Sequence, residues 1–276
     1  MTKLVNLSKK NTLLGAFIRA FCRIALFCVS AWNEVTGLLR TIGIHGNTYE
    51  SLKSYKNKYD GKRCFIIATG PSLTISDMEA LKDEYTFGMN SIIKVYDKTS
   101  FRPSFYGIQD HIVYKSLENE IQKYYKGHDN AFISDRIMWH FKVDKKWNIF
   151  PLNMSYHAYR RWFKDDFFVK FSDNIYRRTY SGFSITYTMI AIAVYMGFKE
   201  IYLIGADCSF HPGQKMHFAE HGVVDTQIDS AQQRNIAGYV KAKEYADAHG
   251  IKINNATRGG ELEVYPRVNL DDILNR

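Results

Sequence analysis

The sequence predicts an α/β domain with a mostly parallel sheet, and three stretches carry the prediction. Cys64-Phe65-Ile66-Ile67-Ala68 is a short continuous apolar run, the pattern of a strand buried on both faces. The turn Thr69-Gly70-Pro71-Ser72 and a short helical stretch from Thr74 to Lys82 lead to a second strand, Tyr85 to Met89. Strand, helix and strand within about 30 residues make a βαβ unit, and such units build parallel sheets. The same logic returns later. Ser184 to Met196 is an apolar helix stopped by Gly197, followed by a buried strand from Ile201 to Ile204. Asp229 or Ser230 then caps a long helix that ends at Gly250, before a strand from Ile251 to Asn254. Residues 46–276 therefore form one Rossmann-like domain with flanking helices.

Residues 1–45 read differently. Leu13 to Val35 is apolar and aromatic but interrupted by Arg19, Arg23 and Asn33, with Lys3, Lys9, Lys10 and Arg40 around it. A spanning helix needs about 20 predominantly apolar residues, and the longest clean stretch, Ile24 to Trp32, is far shorter. Arg19 and Arg23 share one helical face, away from most of the apolar residues. This predicts a basic amphipathic helix lying in the plane of an anionic membrane, or packing on the core or on another subunit. Phe105 to Ile108 reads as a further strand leading into Gln109-Asp110-His111. Residues from about 112 to 178 mix basic and aromatic side chains, among them Trp139, His157, Arg160, Arg161 and Trp162. They read as a partly helical insertion that shapes an acceptor site or lid.

The chain has 276 residues, 46% of them hydrophobic, enough for one sizeable core. Its formal net charge of +9 favours nucleic acid, anionic lipid or phosphorylated substrates. No long Lys/Arg arm is present, and the aromatic residues follow no RRM, KH or OB pattern, so nucleic acid is not the expected partner. Four cysteines without a CxxC pair match no zinc module and suit a reducing cytoplasm.

Four motifs carry chemistry. In Gly70-Pro71-Ser72, glycine lets the backbone turn sharply and approach a ligand, while Ser72 and the following helix N-terminus can meet a phosphate. The alternative is a tight strand-to-helix connection. The turn lacks the GxGxxG fingerprint and the Walker A ending, and Asn90 rather than an acid follows the second strand. Arg178-Thr179-Tyr180-Ser181-Gly182 again leads into a helix N-terminus, and Arg178 can pair with a phosphate or carboxylate; the alternative is helix capping by Ser181. Gly205-Ala206-Asp207 ends a strand where ligands of open α/β sheets bind, so Asp207 suits a sugar hydroxyl or a metal, or else caps a loop. The loop from His211 to His221 offers His217 and His221 as general bases near neutral pH, unless they are ordinary loop histidines.

The ordered runs CFIIATGPSL (64–73), GMN (88–90), RRTYSG (177–182), MGFKEIYLIGAD (196–207) and HF (217–218) resemble two related groups. One is the bacterial sialyltransferases that use a CMP-activated nonulosonic acid. The other is the 6-hydroxymethylpterin diphosphokinase MptE-like domain, which also occurs in flagellin-modifying motility accessory proteins. The resemblance covers about residues 62–110 and 175–268. It implies that Gly70, Pro71, Ser72 and Asn90 line a nucleotide pocket and that Ser181 and Gly182 hold the donor phosphate and sugar, with Arg178 nearby. Asp207 would bind the ribose or cytosine side, and His217, in the HF pair, would act as base, with His221 second. Ser209 stands where the sialyltransferases carry a tyrosine that helps the phosphate to leave. The stretch from Tyr239 to Arg267 looks more like capsule- and lipopolysaccharide-cluster members of the MptE-like group. The implied function is a sialyltransferase-like glycosyltransferase, cytoplasmic and peripheral on the membrane, needing no cofactor, with a nucleotide-sugar donor and a glycan or lipid-linked acceptor. The alternative is an ATP-dependent diphosphokinase, in which Asp207 with Asp110 or Asp225 would hold Mg²⁺.

Overall fold

A computed structural model describes residues 2–10, 12–44, 48–155, 157, 167–211, 217–223 and 228–275. The strands are β1 (Arg63–Ile67), β2 (Thr86–Met89), β3 (Phe105–Ile108), β4 (Ala131–Ser134), β5 (Asn148–Phe150), β6 (Leu152–Asn153), β7 (Thr179–Tyr180), β8 (Glu200–Ile204) and β9 (Lys252–Asn255). Seven of them form one sheet in the order β5-β4-β3-β2-β1-β8-β9, and every pairing is parallel. β6 and β7 pair separately, also in parallel.

Alternation of side chains across a strand explains the layers. Around β1, Cys64, Ile66 and Ala68 join one apolar cluster, and Phe65 and Ile67 join another on the opposite face. Both faces must be covered, and helices cover them. In chain order the helices are α1 (Thr2–Ser8), α2 (Leu13–Thr41), α3 (Ile75–Ala80), α4 (His111–Tyr125), α5 (Asp135–Met138), α6 (Ile185–Tyr195), α7 (Ala231–Ala248) and α8 (Leu270–Leu274). Ile190 and Ile192 of α6 and Tyr239 of α7 pack on the first face. Met78, Leu117 and Ile273 from α3, α4 and α8 pack on the second. Each residue of α6 is buried, so the helix is apolar all round. Ser184 caps its start by accepting from the Thr186 amide, and Gly197, at φ +93, ends it.

Two expectations are corrected. Residues 112–178 are not one insertion, because α4, β4, α5 and β5 continue the parallel sheet. These strands have only four and three residues, too short for periodicity to reveal. Only the stretch after β5 leaves the alternation, and Tyr156 and residues 158–166, with Arg160, Arg161 and Trp162, lie outside the described residues.

The second correction concerns only the length of the apolar stretch, since the expected N-terminal helix is present. α2 is one helix of 29 residues, long and apolar enough to cross a membrane. Arg19 does not break its apolar surface, because the guanidinium turns back to the carbonyls of Ser8 and Lys10. Phe17, Phe21, Phe27 and Trp32 are each about two-thirds exposed or more. The C-terminal part of the helix is tied to the segment around β7. Glu34 accepts from Arg177, Arg178 and Tyr180 at 3.2, 3.2 and 2.8 Å, and Arg40 donates to the carbonyls of Tyr176 and Arg177.

Candidate functional site

The chain builds β1 to β5 on one side of β1 and then returns to place β8 and β9 on the other. The strand order therefore reverses between β1 and β8, and the crevice beyond their carboxyl ends is where open α/β sheets bind ligands. Gly70 follows β1 there and Gly205 follows β8. The Gly70 amide donates to the Gly205 carbonyl at 2.8 Å, so the two turns touch. A Cβ on Gly70 would lie 2.0 Å from Asp207 Oδ2 and 2.4 Å from the Gly205 oxygen. No side chain fits there, and glycine is required by approach rather than by φ.

Asp207 is buried and receives Ser72 twice. The Ser72 hydroxyl donates to Oδ2 at 2.9 Å, and the Ser72 amide lies 3.3 Å from Oδ1. The loop after β9 closes on the same residue. Gly260, at φ +77, leaves no room for a side chain against the Asp207 backbone, and Glu261 donates its amide to the Asp207 carbonyl at 2.6 Å. At Cys208, φ 54, burial, then Glu261 and Asp207, push the thiol up to about 12, which disfavours the thiolate.

His217 is strapped over the end of β1. The neighbouring Phe218 amide donates to the Thr69 carbonyl at 2.7 Å, and His217 Nδ1 lies 3.5 Å from the Thr69 hydroxyl. Burial lowers the His217 pKa below its ordinary value, against opposing contributions from Glu220 and Thr69. The imidazole is therefore neutral at physiological pH and able to accept a proton. Its ring is 4.7 Å from that of His221. His221 is buried, and its Nδ1 accepts from the Val223 amide at 3.1 Å. That leaves His221 only Nε2 for other partners. Burial lowers its pKa too, as do His217 and Lys94, while Glu220 and Asp110 act the other way.

The remaining candidates lie further along the same sheet edge. Asn90 follows β2 at φ 46, and its carbonyl accepts from the Tyr106 hydroxyl at 2.8 Å. The start of α6 reaches this edge, since Thr186 and Thr188 donate to Met89 Sδ and Gln109 Oε1. Ser181 and Gly182 precede that helix, and both are buried. Pro71 is exposed. Arg178 faces elsewhere: it is buried against α2, with Glu34 as its partner.

Asp110 is engaged at the start of α4. Its Oδ1 caps α4, accepting from Ile112 and Val113, and Asp225 lies outside the described residues. Among the described residues no three His, Cys, Asp or Glu side chains are grouped to hold a metal.

Sequence reasoning passed over one group. Ser181 Oγ lies 2.8 Å from His157 Nε2, and the imidazole stacks on Phe183 at 4.2 Å. Burial, then Arg234 and Arg136, hold the His157 pKa down to about 4.

Residues 42–213 match the family described as 6-hydroxymethylpterin diphosphokinase MptE-like. Among solved structures, the chain is similar to the MAf glycosyltransferase from Magnetospirillum magneticum AMB-1, with 18% identity, a TM-score of 0.49, and 82% of this chain and 39% of that chain covered. It is also similar to the sialyltransferase CstII from Campylobacter jejuni in complex with the substrate analogue CMP-3FNeuAc, with 16% identity, a TM-score of 0.42, and 75% of this chain and 86% of that chain covered. The chain thus spans about two fifths of the Magnetospirillum protein. No curated protein matches it.

Proposed function

From a chain that belongs to the 6-hydroxymethylpterin diphosphokinase MptE-like family, we propose a nucleotide-dependent transferase. Within that class we propose a glycosyltransferase that moves a CMP-linked acidic sugar to a surface-glycan or lipid-linked acceptor. The observation that carries this reading is the β1/β8 crevice. There, two touching glycine turns, Ser72 on Asp207, and a neutral His217 strapped over Thr69 share one strand end. Such a crevice suits a nucleotide, with Asp207 and Ser72 available to donor hydroxyls. His217 takes the proton from the acceptor hydroxyl as the acceptor oxygen attacks the sugar and the nucleotide phosphate departs. The N–H groups at the start of α6 stabilise charge on that phosphate. Arg178, held by Glu34, acts instead through the seating of α2.

The second reading is an ATP-dependent diphosphokinase, favoured by the description of the family itself. Thermal unfolding with CMP, CDP, UDP, GDP and ATP, each with and without Mg²⁺, separates the two. A ligand of the native state at a hundredfold excess over Kd is expected to raise Tm by about 5–10 °C. Stabilisation by CMP without metal supports the glycosyltransferase. Stabilisation by ATP only with Mg²⁺ moves the diphosphokinase to first place.

The exposed apolar surface of α2 and the lysines around α1 suit the inner face of an anionic membrane, close to lipid-linked acceptors. The protein is expected to float with vesicles containing anionic lipid. Phe17→Asp together with Phe21→Asp is expected to reduce the floated fraction severalfold. Equal flotation of the double variant would remove α2 as the anchor.

A further inference from the structure

We propose that α1, α2 and the ends of β6 and β7 form one continuous site for an amphipathic lipid phosphate, the anchor of a lipid-linked acceptor. The hydrocarbon chain lies in a groove along α2, and the phosphate lies at Lys170. The lipid site rests on geometry. Its assignment to the acceptor rests on the transferase reading.

The fold-back of α1 builds the groove. A Cβ on Gly15 would collide with the carbonyls of Leu7 and Lys10, so the end of α1 lies directly against α2. Arg19 ties the two together through the carbonyls of Ser8 and Lys10. Leu4 of α1 then closes a groove of about 420 Å³ with Ile18, Cys22, Ala25 and Val29 of α2. Those four positions of α2 recur at steps of three and four, so they share one helical face. Every side chain that lines the groove is apolar or a cysteine, and a hydrocarbon chain is the ligand such a groove suits.

The groove opens into a second pocket, of about 290 Å³ and with polar walls. Leu26 lines both. Ser30 and Glu34 follow it at steps of four along α2, opposite Asn153, Ser155, Lys170 and Tyr180. From Ile18 to Glu34 this face runs about 24 Å. Among the described residues, the ionic side chains lining the second pocket are Glu34 and Lys170. Glu34 is engaged by Arg177 and Arg178 at 3.2 Å each, so Lys170 is the charge that the pocket presents. Asn153 Oδ1 accepts from the amide and hydroxyl of Ser155, which leaves the Asn153 NH₂ group to donate. An ammonium with a neutral donor suits a phosphate. Asn153 is opposite Tyr180 in the β6–β7 pair, and Ser181 is the next residue. The head end therefore lies beside the Ser181–Gly182 turn, and the tail end lies on the exposed part of α2. A soluble glycan would leave the groove empty. The apolar helix of a second copy would leave Lys170 without an anion. A lipid phosphate fills both pockets.

The test is calorimetric titration of the full chain with dodecyl phosphate below its micelle concentration, and with dodecyl maltoside, which carries the same tail on a neutral head. Dodecyl phosphate is expected to bind the more tightly. Ala25→Trp, at an exposed position of α2, fills the groove and is expected to weaken dodecyl phosphate about tenfold or more. Lys170→Gln is expected to weaken it about tenfold and to leave dodecyl maltoside unchanged. Equal binding of dodecyl phosphate by wild type and Ala25→Trp overturns the proposal, and so does equal affinity of the wild type for the two detergents. Ala25→Trp is expected to float with phosphatidylglycerol vesicles as the wild type does, because it keeps the apolar surface. A matching loss of flotation would give the groove to bulk lipid and overturn the acceptor assignment. A wild-type dimer that binds neither detergent and that Ala25→Trp splits would give it to a second copy and overturn the lipid site. If CMP stabilises the fold while dodecyl phosphate does not bind, the lipid site fails and the transferase reading stands. If dodecyl phosphate binds, both variants weaken it and no nucleotide stabilises the fold, the lipid site stands and the transferase reading fails.

Discussion

Replacing His217 with alanine is expected to lower kcat about 100- to 10,000-fold, the usual contribution of a positioned general base, with little change in nucleotide-induced stabilisation. His217 is placed by backbone, through the bond from Phe218 to Thr69, so truncating its ring leaves the strap in place. His221→Ala is expected to cost less. Its Nδ1 already accepts from Val223, which leaves it only Nε2. The pH profile gives an independent check. Burial lowers the His217 pKa below 6.5, and the base works in its neutral form, so kcat/KM is expected to keep its plateau down to a limb below pH 6.5. The same lowering means that the native state binds fewer protons than the unfolded chain. Stability therefore falls as pH drops through about 6.5, where the unfolded imidazole protonates. Equal losses in the two histidine variants, or an acid limb above 6.5, would count against His217 as the base.

Much of this site was readable from sequence because its parts are local. Gly70 and Ser72 follow one continuous apolar strand, Asp207 follows another, and buried parallel strands announce themselves as such runs. That these turns meet follows from strand order, which two βαβ units already imply. The parts that were misread depend on distant partners. Arg178 looked available because Glu34, which neutralises it, lies 144 residues away. Arg19 looked like an interruption of α2 because nothing local shows that the carbonyls of Ser8 and Lys10 take its guanidinium. Strands β4 and β5 are complete but too brief to carry a pattern.

Gly70→Ala is expected to remove nucleotide binding and to destabilise the fold together. The methyl group would stand 2.0 Å from Asp207 Oδ2 and 2.4 Å from the Gly205 carbonyl. The first of these atoms can retreat only by leaving Ser72, whose hydroxyl and amide it holds. The second is backbone and accepts the Gly70 amide itself, so moving it parts the ends of β1 and β8. Either response dismantles the crevice. Overpacking of this kind costs roughly 1–3 kcal/mol, a fall in Tm of about 2–12 °C for a chain of this size. Loss of the ligand-induced rise in Tm should exceed what that destabilisation alone explains, because the geometry lost is that of the site. Asp207→Ala separates the two effects. It removes the acceptor for Ser72 but leaves the turns in contact, so it should reduce nucleotide stabilisation while sparing more of the fold. If Gly70→Ala kept both its melting temperature and its nucleotide response, the crevice between β1 and β8 would not be the nucleotide site, and Ser181 and Gly182 would be the next place to look.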